Sequence, residues 1–462
     1  MSHRLSVVLR VTALALCCGL TGSCLMRSVD KDPKPPVALP DEFGEGGDDV
    51  DPGPWWTSFN DEELDALVLQ ALDKNLMLRQ SWARLEQAKA MERAAASGLF
   101  PQIGTNLSAA RSMSAPREFS LMGQQQTIPG VESNTFSASV PVSYELDVWG
   151  KVRAGMLAAE QDVVAFRADL ESAAMTVAAN VTERWFDVIE QRAMRRLVVE
   201  QLAVNKTSLE LVELRFGEGD AGLSDIYQQR QQIQILEAQL TLVLGQEQVA
   251  DQQLALLLGG TPKRFVQAGR FTLPDPPPLP KRGVPASLLE RRPDLRSAKA
   301  RVVAADYRIA QAIAARLPSF TLSGSLGFSA TDLGKFFESF VWSIMGSVTG
   351  VIWDGGRIGA EIDRSEAVLD ERLAAYGQTL LTALVEVESS LALERLQGDR
   401  IRILELQVAT ARRTLESARR RFGAGIGSYI AVLTALRSLQ AAEQTLLTSK
   451  RRLLSQRVQL YR

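Results

Sequence analysis

Two short stretches hold the residue types that suggest chemistry. Cys24 follows the small residues Thr21-Gly22-Ser23, and Arg4 and Arg10 precede an apolar run from Val11 to Leu20. That is the plan of a secretory signal over residues 1–23. Small residues before a cysteine suit lipoprotein processing, in which the thiol is acylated and becomes the new N-terminus. A plain secretory signal is the other reading, because Thr21 stands where a bacterial lipobox has leucine and Leu20 sits one place earlier. Leu25, in place of an aspartate after the cysteine, favours outer-membrane sorting. The second stretch, Gly217-Glu218-Gly219-Asp220-Ala221-Gly222, has GxGxxG spacing. It follows a long helical pattern instead of a strand, so the dinucleotide reading fails its context. A glycine-closed turn between antiparallel helices remains.

Little else is available for catalysis. The only histidine, His3, and two of the three cysteines, Cys17 and Cys18, fall within the signal segment. A mature chain with one cysteine and no histidine can make no internal disulfide, imidazole metal site or histidine-based triad. No enzyme, metal or cofactor is expected. The formal net charge of -2 becomes about -4 once Arg4 and Arg10 are removed. No basic patch interleaves with aromatics, so nucleic acid is not an expected partner. No run of 18 apolar residues occurs in the body of the chain, which excludes a helical membrane span.

The elements that would position any site are unusually long. Arg357 to Phe422 contains no proline and only Gly359, Gly377 and Gly398 as weak points. At 1.5 Å per residue it predicts a helix of roughly 100 Å. Its stripe Ile358, Ile362, Ser365, Leu369, Leu373, Tyr376, Leu380, Leu384, Val387 and Leu391 has a period of about 3.67 residues, which keeps a helix nearly straight. From Ile401 through Leu404, Val408, Ala411, Leu415 and Ala418 to Phe422 the step is a strict 3-4, the left-handed heptad. The same design occurs 206 residues earlier, with Val152, Met156, Ala159 and Val163, then Val198, Leu202, Asn205, Leu209, Val212 and Phe216. Arg215-Phe216-Gly217-Glu218-Gly219 also parallels Arg421-Phe422-Gly423-Ala424-Gly425, so the chain reads as a tandem duplication.

Between the helices the period changes from 3.6 to 2. Phe136, Ala138, Val140, Val142, Tyr144 and Leu146 alternate with Ser137, Ser139, Pro141, Ser143 and Glu145. Phe320, Leu322, Gly324, Leu326 and Phe328 alternate with serines and a threonine in the same way. A weaker strand near Gln102 to Arg111, a polar loop from Ser112 to Ser133, and a partner strand from about Trp342 to Trp353 complete two β-hairpins. The expected organisation is a tether over 24–60 and a first repeat over 61–262, with hairpin 101–147 and helical hairpin 151–258. A proline-rich linker, 263–285, joins it to a second repeat over 286–462, with hairpin 318–354 and helical hairpin 357–459. Asn60 or Asp61 caps the first helix after the tether, and a short helix is expected from Ala286 to Arg291. Strands of about 10 to 12 residues with one apolar face suit a bilayer, and four of them cannot close a barrel alone.

Trp55-Trp56-x-x-Phe59-x-Asp61-x-x-Leu64-x-x-Leu67, Leu288 to Leu295, Phe100-Pro101, Leu317-Pro318 and Arg421-Phe422-x-x-Gly425-x-x-Ser428-Tyr429 resemble the TolC-like outer membrane efflux factors. The likeness is strongest to the lipoprotein branch that works with resistance-nodulation-division pumps. It implies a homotrimer of mixed α and β structure. A 12-stranded outer-membrane β-barrel, four strands per chain, would be continued by a periplasmic α-barrel of coiled-coil hairpins. It also implies a passive exit duct docked to a membrane-fusion adaptor and an inner-membrane pump, with outer-membrane lipid around it. The adaptor-docking tip would then be Gly217, Gly219, Gly222, Gly423, Gly425 and Gly427.

In that family, aspartates one or two turns into the returning helix narrow the entrance. Here the matching positions are Ala431 and Thr434 in the second copy, and Asp225 and Gln228 in the first. Threefold symmetry would still give one ring of Asp225 carboxylates; a helix-capping role for Asp225 is the equal alternative. Phe216, Asp220, Phe422 and Tyr429 complete the candidates for the constriction. Arg419-Arg420-Arg421 would either pair with a neighbour's carboxylates or form a solvated face. Trp149, Trp342 and Trp353 fall at strand ends as membrane-interface aromatics, with core packing as the alternative for Trp149. A non-conducting structural or adhesive envelope lipoprotein is the other functional reading, and the two apolar-faced hairpins discriminate against it.

Overall fold

The computed structural model of the chain describes residues 27–37, 54–121, 124–261, 271–279 and 291–462. The signal segment with Cys24, part of the tether, most of the proline-rich linker and the expected helix at Ala286 lie outside the described residues. In chain order the elements are a 3-10 turn at Trp55–Phe59, α1 Glu62–Lys74, α2 Leu76–Ala96, β1 Gln102–Ile103, β2 Asn106–Met113, β3 Arg117–Leu121, β4 Gln124–Ile128 and β5 Glu132–Leu146. Then come α3 Lys151–Gly217, α4 Leu223–Leu257, α5 Pro293–Ala314, β6 Ser319–Ala330, β7 Phe340–Thr349, α6 Arg357–Gly423 and α7 Tyr429–Tyr461. The two long helices have 67 residues each. The two repeats are therefore superposed in kind, helix then hairpin then helical pair. No described helix is long and apolar enough to cross a membrane.

Contacts divide the chain into two units, one of residues 1–36, 85–166 and 297–376, the other of 37–84, 167–296 and 377–462. The first unit contains the sheet. Its path is β1 and β2 on β5, then β5 on β6, then β6 on β7, all antiparallel. Cross-strand partners point to the same face, so the register defines both surfaces. One carries Leu107, Ala138, Phe328 and Phe340 in one row, Val140, Leu326 and Trp342 in the next, and Leu146, Phe320 and Val348 at the end. The other carries Ser108, Ser137 and Ser329, with Ser143 beside Ser323 and Ser325 beside Ser343. The apolar face of β7 is open to the surroundings at Phe340, Trp342, Ile344 and Val348. A side chain at Gly327 would collide with the Ala138 carbonyl oxygen, so this close strand contact needs glycine. The stretch Ser112 to Ser133 is not one polar loop. β3 and β4 pair within it over Arg117↔Ile128 to Leu121↔Gln124 as a separate two-stranded sheet, because β2 and β5 pair as far as Met113↔Glu132 and so bring the ends of the stretch together.

The helix-linking residues are capped alike in both copies. Asp147 accepts from the Val152 and Arg153 amides, both at 2.9 Å. Asp354 accepts from the Ile358 amide at 2.9 Å and Gly356 at 3.0 Å. These bonds satisfy amide groups that a helix start leaves open, and the amides hold the Asp354 carboxyl below its ordinary range. Trp149 is half-buried, donates from Nε1 to the Pro318 carbonyl at 2.7 Å and packs against Phe320. Packing is thus its role within the chain.

The second unit has its main core where α1 meets α3, α4 and α7. Trp55, Phe59, Leu64, Val68, Trp185, Phe186, Ile189, Leu254, Leu258 and Val458 are buried together, and Trp55 stacks on Tyr461 at 5.5 Å. Burying each large apolar side chain stabilises by about 1.5–3 kcal/mol. Asp61 sits in the middle of it. One carboxylate oxygen caps α1 by accepting from the Leu64 amide at 3.2 Å, and the other accepts from the Trp185 indole at 2.9 Å. Charged pairs lie in the same unit: Arg457 and Glu394 are buried together, and buried Arg451 meets the half-buried Glu183 and Asp187 at 2.6 and 2.8 Å.

Replacing Asp61 with alanine removes a helix cap and orphans a buried indole N–H. The expected loss is about 2–4 kcal/mol of stability, read as a lower melting temperature in far-ultraviolet circular dichroism, with Asp61→Asn recovering part of it.

Candidate functional site

The candidate residues gather at the turns that join α3 to α4 and α6 to α7, and the duplicated sequence makes duplicated turns. The Gly219 and Asp220 amides donate to Phe216 and Arg215 carbonyls at 3.1 and 2.9 Å. Their counterparts Gly425 and Ile426 donate to Phe422 and Arg421 at 3.1 and 3.0 Å. Gly219 and Gly425 adopt φ of 84° and 72°, the left-handed conformation that closes a helix with these bonds and that side chains resist. Nothing lies within 4 Å of a side chain added at Gly217, Gly219, Gly423 or Gly425. The glycines therefore serve the chain's turn and leave open surface beside it. Gly222 and Gly427 are tighter, against Ser224 and Arg421.

Beneath the turns, Val212, Ile226, Leu415, Phe422, Tyr429, Leu433 and Leu436 form one apolar cluster. Here the two copies part. Phe422 is 8 % exposed, whereas its counterpart Phe216 is 44 % exposed. Phe422 is enclosed by this cluster, and its ring is covered by Arg215. Its guanidinium lies 4.5 Å from the centre of the Phe422 ring and donates to the Phe422 and Gly423 carbonyls at 2.8 and 3.2 Å. It thereby combines a cation–π contact with capping of the end of α6. Arg215 was not singled out in the sequence, although the repeated Arg-Phe pair was its signal.

Tyr429 is also inside the cluster, 5.4 Å from the Phe422 ring centre. Its hydroxyl donates to Gln229 Oε1 at 2.7 Å, and Gln229 Nε2 donates to Asn205 Oδ1 at 3.0 Å and to its carbonyl at 2.7 Å. Asn205 occupies the heptad stripe and is fully buried, so a polar layer crosses the apolar seam. Burial, reinforced by the Asp225 charge, pushes the Tyr429 hydroxyl up to about 12. The phenol therefore stays a neutral donor. Its contribution is complete below the free phenol value near 10 and is lost as pH rises through about 12.

Asp225 is half-buried at the start of α4. Its Oδ2 accepts from the Gly222 amide at 3.1 Å, while its own amide donates to the Gly222 carbonyl at 3.0 Å. It thus caps its helix within the protomer. Asp220 is exposed on the turn. Ala431 and Thr434 are exposed and line a shallow apolar groove of about 750 Å³ with Ile403, Leu406, Thr410 and Ile430. Phe422 and Tyr429 are thus packed inside the protomer, whereas Phe216, Asp220, Ala431 and Thr434 are open to its surface. In the arginine run, Arg420 pairs with Glu416 of its own helix at 3.0 Å.

The sequence matches the family model described as outer membrane efflux protein over residues 67–260 and 284–462. It is 30 % identical over 411 residues to a probable efflux pump outer membrane protein, SepC, of Pseudomonas putida, covering 88 % of this chain and 84 % of that one. It is 29 % identical over 443 residues to outer membrane protein OprJ of Pseudomonas aeruginosa, covering 93 % and 89 %. Among solved structures, a CusC structure described in terms of folding and transmembrane channel formation superposes with a TM-score of 0.83 at 26 % identity, covering 94 % of this chain and 98 % of that one.

Replacing Tyr429 with phenylalanine leaves Gln229 Oε1 buried without its donor. A destabilisation of about 1–3 kcal/mol is expected, measured by thermal denaturation; the alkaline limb of stability between pH 10 and 12 should also flatten.

Proposed function

The chain belongs to the outer membrane efflux protein family, and on that premise we propose that it is the outer-membrane channel subunit of a tripartite export system. It would serve as a passive duct that receives cargo from a periplasmic adaptor and an inner-membrane pump. The observation that carries this reading is the sheet. Four strand positions present one apolar and one serine-rich face, and its outer strands, β1 and β2 on one side and β7 on the other, are open edges. Unpaired backbone groups in hydrocarbon cost several kcal/mol each. Three copies would pair these edges into a closed 12-stranded barrel, its apolar faces toward lipid and its small serines toward a lumen.

The helical pairs support the same assembly. The groove beside Ala431 and Thr434 is an apolar surface that a neighbouring protomer would cover. In such a trimer the turn glycines Gly217, Gly219, Gly423 and Gly425 would face the adaptor, and the exposed Phe216 and Asp220 would lie near the entrance. Asp225 would form the acidic ring, its second carboxylate oxygen being left by the Gly222 cap. Acylation of Cys24 would hold the chain at the membrane in addition to the barrel. Chemistry at a passive duct would be binding and gating alone, with cargo selected upstream by the pump.

Planar-bilayer recording of the purified assembly tests the reading. Discrete conductance steps are expected, enlarged when the turns are loosened by Arg215→Ala; silence in both would leave a non-conducting envelope protein. In the same recordings, Asp225→Ala should reduce cation selectivity or block by divalent ions, and Asp225→Asn, which keeps a helix-capping oxygen, should do the same if the ring reading holds. Unchanged currents would confine Asp225 to capping.

A further inference from the structure

The first unit contains a cavity of about 300 Å³ at the start of α3 and the end of α5, and nothing described above uses it. Its walls are of two kinds. Val29, Leu157, Ala310, Ile313 and Leu317 supply an apolar lining, together with the rings of Trp149 and Tyr307. Arg27, Lys31 and Arg153 supply three cations at the same cavity. Arg27 is taken by Asp306, at 2.5 Å, but Lys31 and Arg153 have no carboxylate partner among the described residues. Carboxylates adjacent in the chain are engaged: Asp30 by the Asp32 amide, Asp147 by the helix amides, Glu145 by Lys151 and Asp32 by Lys299. Unmatched cations bordering an apolar cavity define the chemistry of an anionic amphiphile.

The cavity also sits where such a molecule would be. It opens at the link from β5 to α3, at the end of the sheet where Leu146, Phe320 and Val348 form the last apolar row. The neighbouring link from β7 to α6 carries Val351, Ile352 and Trp353, all exposed, and Gly350 lies against Pro318, the residue that accepts the Trp149 indole bond. Exposed tryptophan and isoleucine beyond the last apolar row mark the headgroup level of a membrane-embedded sheet.

We propose that this cavity binds one anionic glycerophospholipid of the surrounding leaflet, with its phosphate held by Lys31 and Arg153 and its upper acyl carbons against Leu157, Ile313 and Leu317. The proposal rests on reading the sheet as membrane-embedded. It assigns to the segment after Cys24 a second role, since Val29 and Lys31 make one wall of the site. The bound lipid would therefore join the amino-terminal segment to α3 and α5 in addition to the direct bonds of Arg27 and Lys299.

The test uses the full chain in detergent, so it reads lipid binding whether or not the protein conducts. Native mass spectrometry during titration with phosphatidylglycerol or phosphatidylcholine of equal chain length should show about tenfold preference for the anionic lipid. The double variant Lys31→Glu/Arg153→Glu should lose that preference while its circular dichroism is unchanged. Equal retention of the two lipids, or retention unaffected by the double variant, would overturn the site. A second measurement needs no charge reversal. Phosphatidylglycerol brominated high on its acyl chains should quench a fluorescence component present in the natural protein and absent in Trp149→Phe; equal quenching in both would also overturn it. If the quenching appears only in Cys24→Ser, the cavity's occupant is the chain's own acyl anchor and the proposal fails.

Discussion

A β-sheet with two open edges and one apolar face has no stable place in a monomer. Water penalises the face, and hydrocarbon penalises the edges, since every unpaired N–H and C=O there lacks a partner. The strand register makes this constraint concrete. Rows such as Val140, Leu326 and Trp342 continue to the edge strand β7 without a polar interruption, while the opposite face is rich in serine, with Val341 and Met345 as its apolar residues on β7. Closure by further copies removes both penalties at once, and the remainder of the molecule is compatible with that requirement. Four strands per chain, two from each repeat, set the size of the barrel that three chains can make.

The duplication supplies the strands and the long helices, yet the two copies are not used equally. Matching turns close with the same hydrogen bonds, but one of the matching phenylalanines is buried beneath an arginine from the other copy and its twin is exposed. A duplicated chain must meet itself across an interface that is only approximately symmetric, so equivalent residues fall into different surroundings. The heptad stripes show the same asymmetry: Asn205 replaces an apolar residue in the first copy and organises Gln229 and Tyr429 around it. Such a polar layer is costly unless fully bonded, and when bonded it favours one register of the helices over shifted alternatives. In this chain it lies next to the turns, where register decides which side chains reach the surface.

The second unit relies on buried charge as well as apolar packing. Arg457 and Glu394 are enclosed between the two helices of the second repeat, and buried Arg451 of that repeat meets half-buried Glu183 and Asp187 of the first. Pairs of this kind contribute little net stability compared with apolar substitutes, but the loss of one partner is severe. They therefore act as constraints on which helix packs against which, a useful property where four helices with similar stripes could exchange places.

Sequence by itself determined the elements. Period and composition are local properties of the chain, so the two 67-residue helices, the strands with alternating faces, the Asp61 cap and the glycine turns were all legible, as was the family through its dispersed motifs. Pairing inside Ser112 to Ser133 was missed because its alternation is too weak to exceed that of a polar loop until β2 and β5 bring its ends together. Tertiary structure alone decided the fate of individual side chains at the turns. Phe216 and Phe422 each lie between an arginine and a glycine in sequence, and only their tertiary surroundings, the buried cluster and Arg215 around Phe422, separate them. The same holds for Asp225, whose carboxylate meets Gly222 in a way that residue type permits but does not dictate, and for the cavity at Lys31 and Arg153. Its walls come from segments more than 100 positions apart in sequence, and no local pattern records that folding brings them together.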